Sequence, residues 1–243
     1  MSETIRLNSY ISRCGVCSRR QADNYILDGR VKVNSIIIKT LGTKIVIGED
    51  TIAVDNKIIY PPKETSYYVF NKPAGVVTTM DDPQNRPSIK KYVKDIGISL
   101  FPVGRLDFDS EGLLILTNDG ELSHRIQHPR YQIEKTYIVE TDKILTEQQL
   151  AHIFKGVMLD DGFLKVLTIR ALGKSARFGK YRVVIHEGRK RIIRRLFEKF
   201  DRKVTKLKRI SIGNIHLEKN PPGSWRKMSK KEISLLKKIV ALT

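Results

Sequence analysis

The chain has 243 residues, 40% of them hydrophobic, which suffices for a packed core in one large domain or in a small and a medium one. It carries 45 Lys and Arg against 26 Asp and Glu, a formal charge of +19, and so large an excess of one sign points to a polyanionic partner. A membrane is the weaker candidate: no apolar run approaches the ~18 residues of a spanning helix, MSETIRLNSY lacks the apolar core of a signal peptide, and no lipidation motif is apparent.

In chain order, Arg6, Leu7, Tyr10 and Ile11 have helical spacing. Cys14 and Cys17 have the spacing of a redox motif or half a zinc site. No histidine precedes His124 and no βαβ context surrounds the pair, so two reduced thiols in a cytoplasmic protein are expected. Ser18 and Gln21 form a capping box that opens a second helix, Ala22, Tyr25 and Ile26 give it an apolar face, and Gly29 ends it. Val31–Val33 and Ile36–Ile38 bracket Asn34-Ser35 as a hairpin, and Ile45–Ile47 and Thr51–Val54 read as short strands. The stretch from Pro61 to Thr65 reads as a linker. The string RLNSYISRCGVCSRRQADNYILDGRVKVN resembles an S4 RNA-binding domain, departing from it at Ser35, where glycine is usual. The resemblance assigns RNA contact to Arg6, Arg13, Arg19 and Arg20.

From about Ser66, strands and helices alternate. Tyr67–Asn71, Leu113–Thr117, Lys135–Glu140 and Tyr181–His186 read as strands, Asn118-Asp119-Gly120 as a turn. Thr146 with Gln149, and Ser229 with Glu232, cap two helices. The expected fold is α+β: a small N-terminal domain over residues 1–63, then a domain over 66–243 with a mostly antiparallel sheet flanked by helices.

The segment Gly104–Leu114 places Asp107, Asp109 and Glu111 beside Arg105 and ahead of an apolar strand. Four readings compete: a calcium loop, which lacks the glycine and distal glutamate of an EF-hand; a glycosidase pair; a solvated turn; and a single catalytic carboxylate on a loop before a rigid strand. Spacing alone does not choose among the three acids. GRLDFDSEGLLILTNDG, however, resembles the catalytic motif of the RsuA/RluB/RluF-type pseudouridine synthases. The Asn71–Gly75, Lys135–Tyr137, Gly188–Leu196 and Pro222–Arg226 stretches resemble that family's NKPxG, KxY, basic and PGxWR motifs, in its order. The basic motif departs from the pattern at Ile192, where glutamine is usual, and at Leu196, often methionine.

The resemblance implies isomerisation of uridine to pseudouridine in ribosomal RNA without cofactor or metal. It makes Asp107 the essential carboxylate, with Arg194 as its cationic partner, Tyr137 stacking on the flipped base, Leu207 flooring the pocket and Arg105 displacing the base. Covalent addition and proton abstraction are both compatible with the sequence. Glu187–Arg209 holds eleven basic residues against three acidic ones, and Ile192, Ile193, Leu196, Phe197 and Phe200 recur at helical spacing. Arg189, Lys190, Arg191 and Arg195 are therefore expected on a basic face toward RNA. The wording SEGLLILTNDG looks closer to the large-subunit rRNA enzymes than to the small-subunit one. A monomer is the default expectation. A non-catalytic RNA-binding or ribosome-assembly factor would have no need of the Asp107, Tyr137 and Arg194 set, and no helix-turn-helix pattern of a DNA regulator stands out.

Overall fold

The computed structural model describes residues 3–173 and 178–242. The chain divides into two compact units, one running to Thr65 and including Ile98–Leu100, the other formed by Ser66–Gly97 and the chain from Phe101 onward.

In the N-terminal unit, β1 (Thr4–Arg6) precedes α1 (Leu7–Arg13) and α2 (Arg19–Leu27), followed by β2 (Val31–Val33), β3 (Ile36–Ile37), β4 (Lys44–Val46), β5 (Ile52–Val54) and β6 (Lys57–Ile58). Arg6, expected within the first helix, ends β1 and stands at the N-cap of α1. Leu7, Tyr10 and Ile11 of α1 and Ala22 and Ile26 of α2 pack on Val31, Ile45, Ile52 and Val54, so the helical spacing does bury one face. Of the expected box at α2, the Ser18 half is present: its hydroxyl accepts from the Gln21 N–H at 3.2 Å.

The strands β3, β2, β5 and β6 form one antiparallel sheet, and β1 pairs with β4. Two tight turns join the sheet's hairpins. Asn34 and Ser35 have φ of 50° and 70°, and Asp55 and Asn56 have φ of 50° and 64°. Positive φ at both central residues gives the backbone twist that matches right-twisted strands. Asn34 tolerates it and is fixed there, donating to Asp50 Oδ1 at 2.7 Å and accepting from the Thr51 N–H at 2.9 Å. Ser35 has no such compensation. Arg30 closes the unit by two bonds to Asp55, at 2.8 and 2.5 Å, while its guanidinium lies 3.7 Å from the Tyr25 ring centre. Both cysteines are free; burial pushes the Cys14 thiol up to about 11 and raises Cys17 as well, which disfavours the reactive thiolate.

The second unit contains β7 (Tyr67–Lys72), α3 (Lys90–Val93), β8 (Phe101–Pro102), β9 (Glu111–Thr117), α4 (Gly120–Gln127), β10 (Lys135–Thr141), α5 (Glu147–Lys155), β11 (Val157–Leu159), β12 (Gly162–Leu164) and β13 (Thr168–Ala171). It ends with β14 (Gly179–Ile185), α6 (Ile192–Glu198), β15 (Val204–Ile212), β16 (Ile215–His216), β17 (Trp225–Lys227) and α7 (Lys230–Ile239). The main sheet runs β13-β14-β10-β15-β9-β7-β17, with β16 on β15 and β8 on β9. Its pairings are antiparallel except where β15 meets β9. There Arg209 lies opposite Gly112, which has φ of 111°, and a Cβ at Gly112 would stand 2.2 Å from the Arg209 carbonyl oxygen. Only glycine permits this approach.

One core lies on the β14–β10 half with α5 and α6, and another on the β9–β7 half with α4 and α7. The Asn118-Asp119-Gly120 turn expected from sequence is instead a helix start. The Asp119 carboxylate accepts from the Leu122 N–H at 3.0 Å and caps α4. Thr146 and Ser229 form complete capping boxes on α5 and α7. No helix among the described residues is long and apolar enough to cross a membrane.

Glycine at position 35 adopts positive φ without the Cβ penalty, at some cost in chain entropy. Ser35→Gly should therefore stabilise the N-terminal unit by up to about 1 kcal/mol. Asn34→Ala should destabilise it; urea unfolding of the full chain measures both.

Candidate active site

Asp107 opens a turn. The Ser110 N–H donates to the Asp107 carbonyl at 3.1 Å, with Phe108 and Asp109 at the corner. The segment is not extended, so Arg105, Asp107 and Asp109 do not share a face by alternation.

The loop's backbone is held from several directions. The Leu106 carbonyl accepts from the Thr78 hydroxyl at 2.8 Å, and that hydroxyl accepts from the Leu106 N–H at 3.2 Å. The Phe108 carbonyl accepts from the Gly75 N–H at 2.7 Å. The Asp109 carbonyl accepts from Arg194 Nη2 at 3.1 Å, and the Ser110 carbonyl from Lys72 Nζ at 2.9 Å. With the turn bond on Asp107, each carbonyl from 106 to 110 has a partner.

Lys72 makes this possible from a fully buried position at the end of β7, where it also donates to the Pro73 carbonyl at 2.8 Å. Burial pulls its ammonium down to about 8 against the opposing pull of the Asp107, Asp109 and Glu111 carboxylates. Lys135, at the start of β10, is likewise depressed by burial to about 8 and donates to the Ile133 and His186 carbonyls at 3.2 and 2.6 Å. The segment Asn220–Ser224 braces β7 beside Lys72: Asn71 N–H donates to the Ser224 carbonyl, Gly223 N–H to the Asn71 carbonyl, and Asn71 Nδ2 to the Asn220 carbonyl.

The three acids fare differently. Asp109 lies 3.1 Å from Arg194 and 3.3 Å from Arg191. Glu111 faces Lys206 at 3.6 Å and Lys208 at 3.9 Å. Asp107 is half-buried, and its carboxylate has no hydrogen bond or ion pair among the described residues. Among the described residues Arg194 pairs with Asp109 and not with Asp107 as the resemblance implied, and the charges of all three acids act on the buried Lys72.

Arg194 also donates to the Val204 carbonyl at 2.8 Å. Ile192 is buried in the α6 core with Leu106, so its apolar side chain serves packing, and Arg194 is oriented by carbonyls and Asp109 instead of by a neighbouring amide. Tyr137 on β10 and Leu207 on β15 are buried in the same cluster as Leu106, next to Asp107 in the chain.

The basic candidates separate into two sets. Asp161, at the β11–β12 turn, takes Arg189 at 2.6 Å and Arg195 at 2.7 Å. Arg189 further binds Glu187 at 2.6 Å and the Gly162 and Phe163 carbonyls. These two arginines, expected to face RNA, both bind Asp161 of the β11–β12 turn, Arg195 through Nη2 alone, its Nε being buried without a partner. Arg105 and Lys190 are exposed and have no ion pair among the described residues, while Arg191 is held loosely. In the N-terminal unit Arg6, Arg19 and Arg20 are exposed, and Arg13 makes an exposed pair with Glu3 at 3.3 Å.

Lys72, Thr78, Asp109 and Asp161 were not singled out as functional from sequence. For Lys72 the available signals were its place in the NKPxG-like stretch and at the end of the apolar strand YYVFNK. No group of His, Cys, Asp and Glu suited to a metal ion occurs among the described residues.

The unfolded chain keeps a proton on Lys72 that the folded chain releases between about pH 8 and the ordinary lysine value of 10.5. The sign is that of a base whose folded value is lowered: stability rises with pH across this window. In Lys72→Met that rise should be shallower by about one proton, read from denaturant unfolding at several pH values.

Residues 66–199 match the RNA pseudouridylate synthase family and residues 5–52 the S4 domain. An uncharacterised RNA pseudouridine synthase of Aquifex aeolicus is 41% identical over 98% of this chain and 96% of its own length. The ribosomal large subunit pseudouridine synthase B of Bacillus subtilis is 36% identical over 96% and 95%. A crystal structure of a pseudouridylate synthase superposes with a TM-score of 0.67 at 31% identity, covering 96% of this chain and 99% of the other. A carboxylate with no hydrogen bond or ion pair among the described residues, on a backbone whose carbonyls from 106 to 110 each have a partner, therefore sits in a chain that belongs to the RNA pseudouridine synthases, enzymes that isomerise uridine to pseudouridine, and that carries an N-terminal S4 domain.

Proposed function

We propose that the substrate is a specific uridine of ribosomal RNA, in the large subunit, and that Asp107 is the catalytic carboxylate. The large-subunit assignment is supported by the 36% identity to the Bacillus subtilis relative along nearly the whole of both chains. The choice of Asp107 rests on one observation: of three crowded acids it is the one without an ion pair among the described residues.

The reaction breaks the bond between N1 of uracil and C1′ of the ribose, turns the base, and joins C5 to C1′. A proton leaves C5 and one arrives at N1, so nothing is oxidised and no water is consumed. Nucleophilic addition and proton abstraction both require a carboxylate that is unpaired and well placed. Asp107 meets that need because its position is set by backbone bonds, which leave the side chain to the substrate. Tyr137 offers a ring for the base to stack on, and Leu207, in the same apolar cluster, borders it.

Reaching the uridine requires unstacking it, at a cost of a few kcal/mol. Contacts to flanking phosphates offset this. Arg105, Lys190 and Arg191 of the synthase unit are available for them, as are Arg6, Arg13, Arg19 and Arg20 of the S4 unit. Arg189 and Arg195 contribute through the hairpin they hold.

Carbodiimide mapping of both ribosomal RNAs from a deletion strain should show one or a few pseudouridines missing from the large-subunit RNA. The wild-type gene should restore them, whereas Asp107→Asn and Asp107→Ala should not, while still binding RNA. An unchanged map would refute the reading, and a loss confined to the small-subunit RNA would move the substrate there.

A further inference from the structure

The half of the main sheet formed by β13, β14, β10 and β15 has two unlike faces. Tyr137, Val139, Tyr181, Val183 and Leu207 point to one of them and are buried with side chains of α5 and α6. Neighbours along a strand alternate between faces, and cross-strand partners share one. The intervening residues therefore lie on the reverse. One row across it runs Arg170, Arg182, Ile138, Lys208, Glu111, and the next runs Lys180, Glu140, Lys206.

The cations of this face are not equivalent. Glu140 takes Lys180 at 3.1 Å, and Glu111 lies 3.6 Å from Lys206 and 3.9 Å from Lys208. Arg170 and Arg182 stand directly opposite each other on β13 and β14, both exposed, and neither has an ion pair or hydrogen bond among the described residues. The turn between the two strands supplies no acid either: from Thr168 to Ile185 the sequence has five Lys and Arg and no Asp or Glu. Like charges placed opposite across a strand pair, with Cβ atoms about 5 Å apart, destabilise it. The chain keeps a repulsion that its own fold does not use, and an anion shared by the two guanidinium groups relieves it.

We propose that this open sheet face, centred on Arg170 and Arg182, is a second RNA-contact surface that takes the phosphate backbone. RNA is favoured over an acidic protein because the chain belongs to a family of RNA-modifying enzymes and carries a formal charge of +19. Guanidinium forks match phosphate oxygens two at a time. Ile138 and Val184, between the cations, are aliphatic and offer no ring for a base to stack on, so the contact is to backbone and indifferent to sequence. Resting on Tyr137 as the ring beneath the target base, the RNA held here is a segment apart from the nucleotides at Asp107, because Tyr137 points to the opposite face.

The test measures affinity for a large-subunit ribosomal RNA transcript across a range of salt, in the full-length wild type and in two double variants, Arg170→Gln with Arg182→Gln and Arg170→Lys with Arg182→Lys. The thermal midpoint and the saturated single-turnover rate are read alongside. The Gln pair should bind on the order of tenfold more weakly at physiological salt, with a log–log salt slope shallower by roughly one to two. Its midpoint should be unchanged or raised, because a repulsion is removed, and its saturated rate should stay within about twofold of wild type. The Lys pair, which keeps both charges, should recover most of the affinity and the slope. Affinity and slope equal to wild type in the Gln pair would overturn the proposal and leave the arginines to an acidic protein surface. A Gln pair with a lowered midpoint, or one that does not fold, would overturn it by making the arginines structural. Binding is measured without modification, so a wild type that forms no pseudouridine would count against the assigned function while the salt slope still decides this surface.

Discussion

Capture of the loop's own carbonyls is the interaction on which the site depends. A surface loop ordinarily leaves its carbonyls to water and moves with it. Here the carbonyls from Leu106 to Ser110 are claimed by Thr78, Ser110, Gly75, Arg194 and Lys72 in turn. The donors come from the turn after β7, from α6 and from the loop itself. Each bond fixes the backbone and none uses the Asp107 side chain, so that carboxylate is held in place without being paired.

This arrangement explains why the separate motifs coexist. Lys72 reaches the Ser110 carbonyl because β7 is paired along β9 and braced by the Asn220–Ser224 segment. Arg194 reaches the Asp109 carbonyl because α6 leads into β15, which meets β9 at Gly112. The basic residues accordingly do different work. Lys72, Lys135 and Arg209 are buried and bind carbonyls, Arg189 and Arg195 fasten a hairpin, and a smaller exposed set carries no such tie.

Much of the fold could be read from local pattern. Apolar spacing marked the two N-terminal helices, alternation, apolar runs and a hairpin turn marked eight of the strands, and Thr146 and Ser229 marked helix starts. Asp119 was misread because Asn-Asp-Gly has the chemistry of a turn, and only the packing of Leu122 and Ile126 makes it a cap. Local residues also drew attention to the Gly104–Leu114 loop, but not to the pairing within it. Whether Arg194 meets Asp107 or Asp109 is decided by a turn bond and by the placement of Val204, both beyond the reach of spacing. Nor does spacing reveal that Asp161, 28 and 34 positions away, binds both Arg189 and Arg195.

The parallel meeting of β9 and β15 also orders events during synthesis. Arg209 donates to the Leu113 carbonyl across 96 positions of the chain, and Arg194 to the Asp109 carbonyl across 85. At 5–20 residues per second, a nascent chain exposes its catalytic loop for on the order of ten seconds before those partners emerge. The S4 unit is by then complete, its contacts lying almost entirely among residues already made. The N-terminal unit can therefore fold before the Asp107 loop acquires its distant partners.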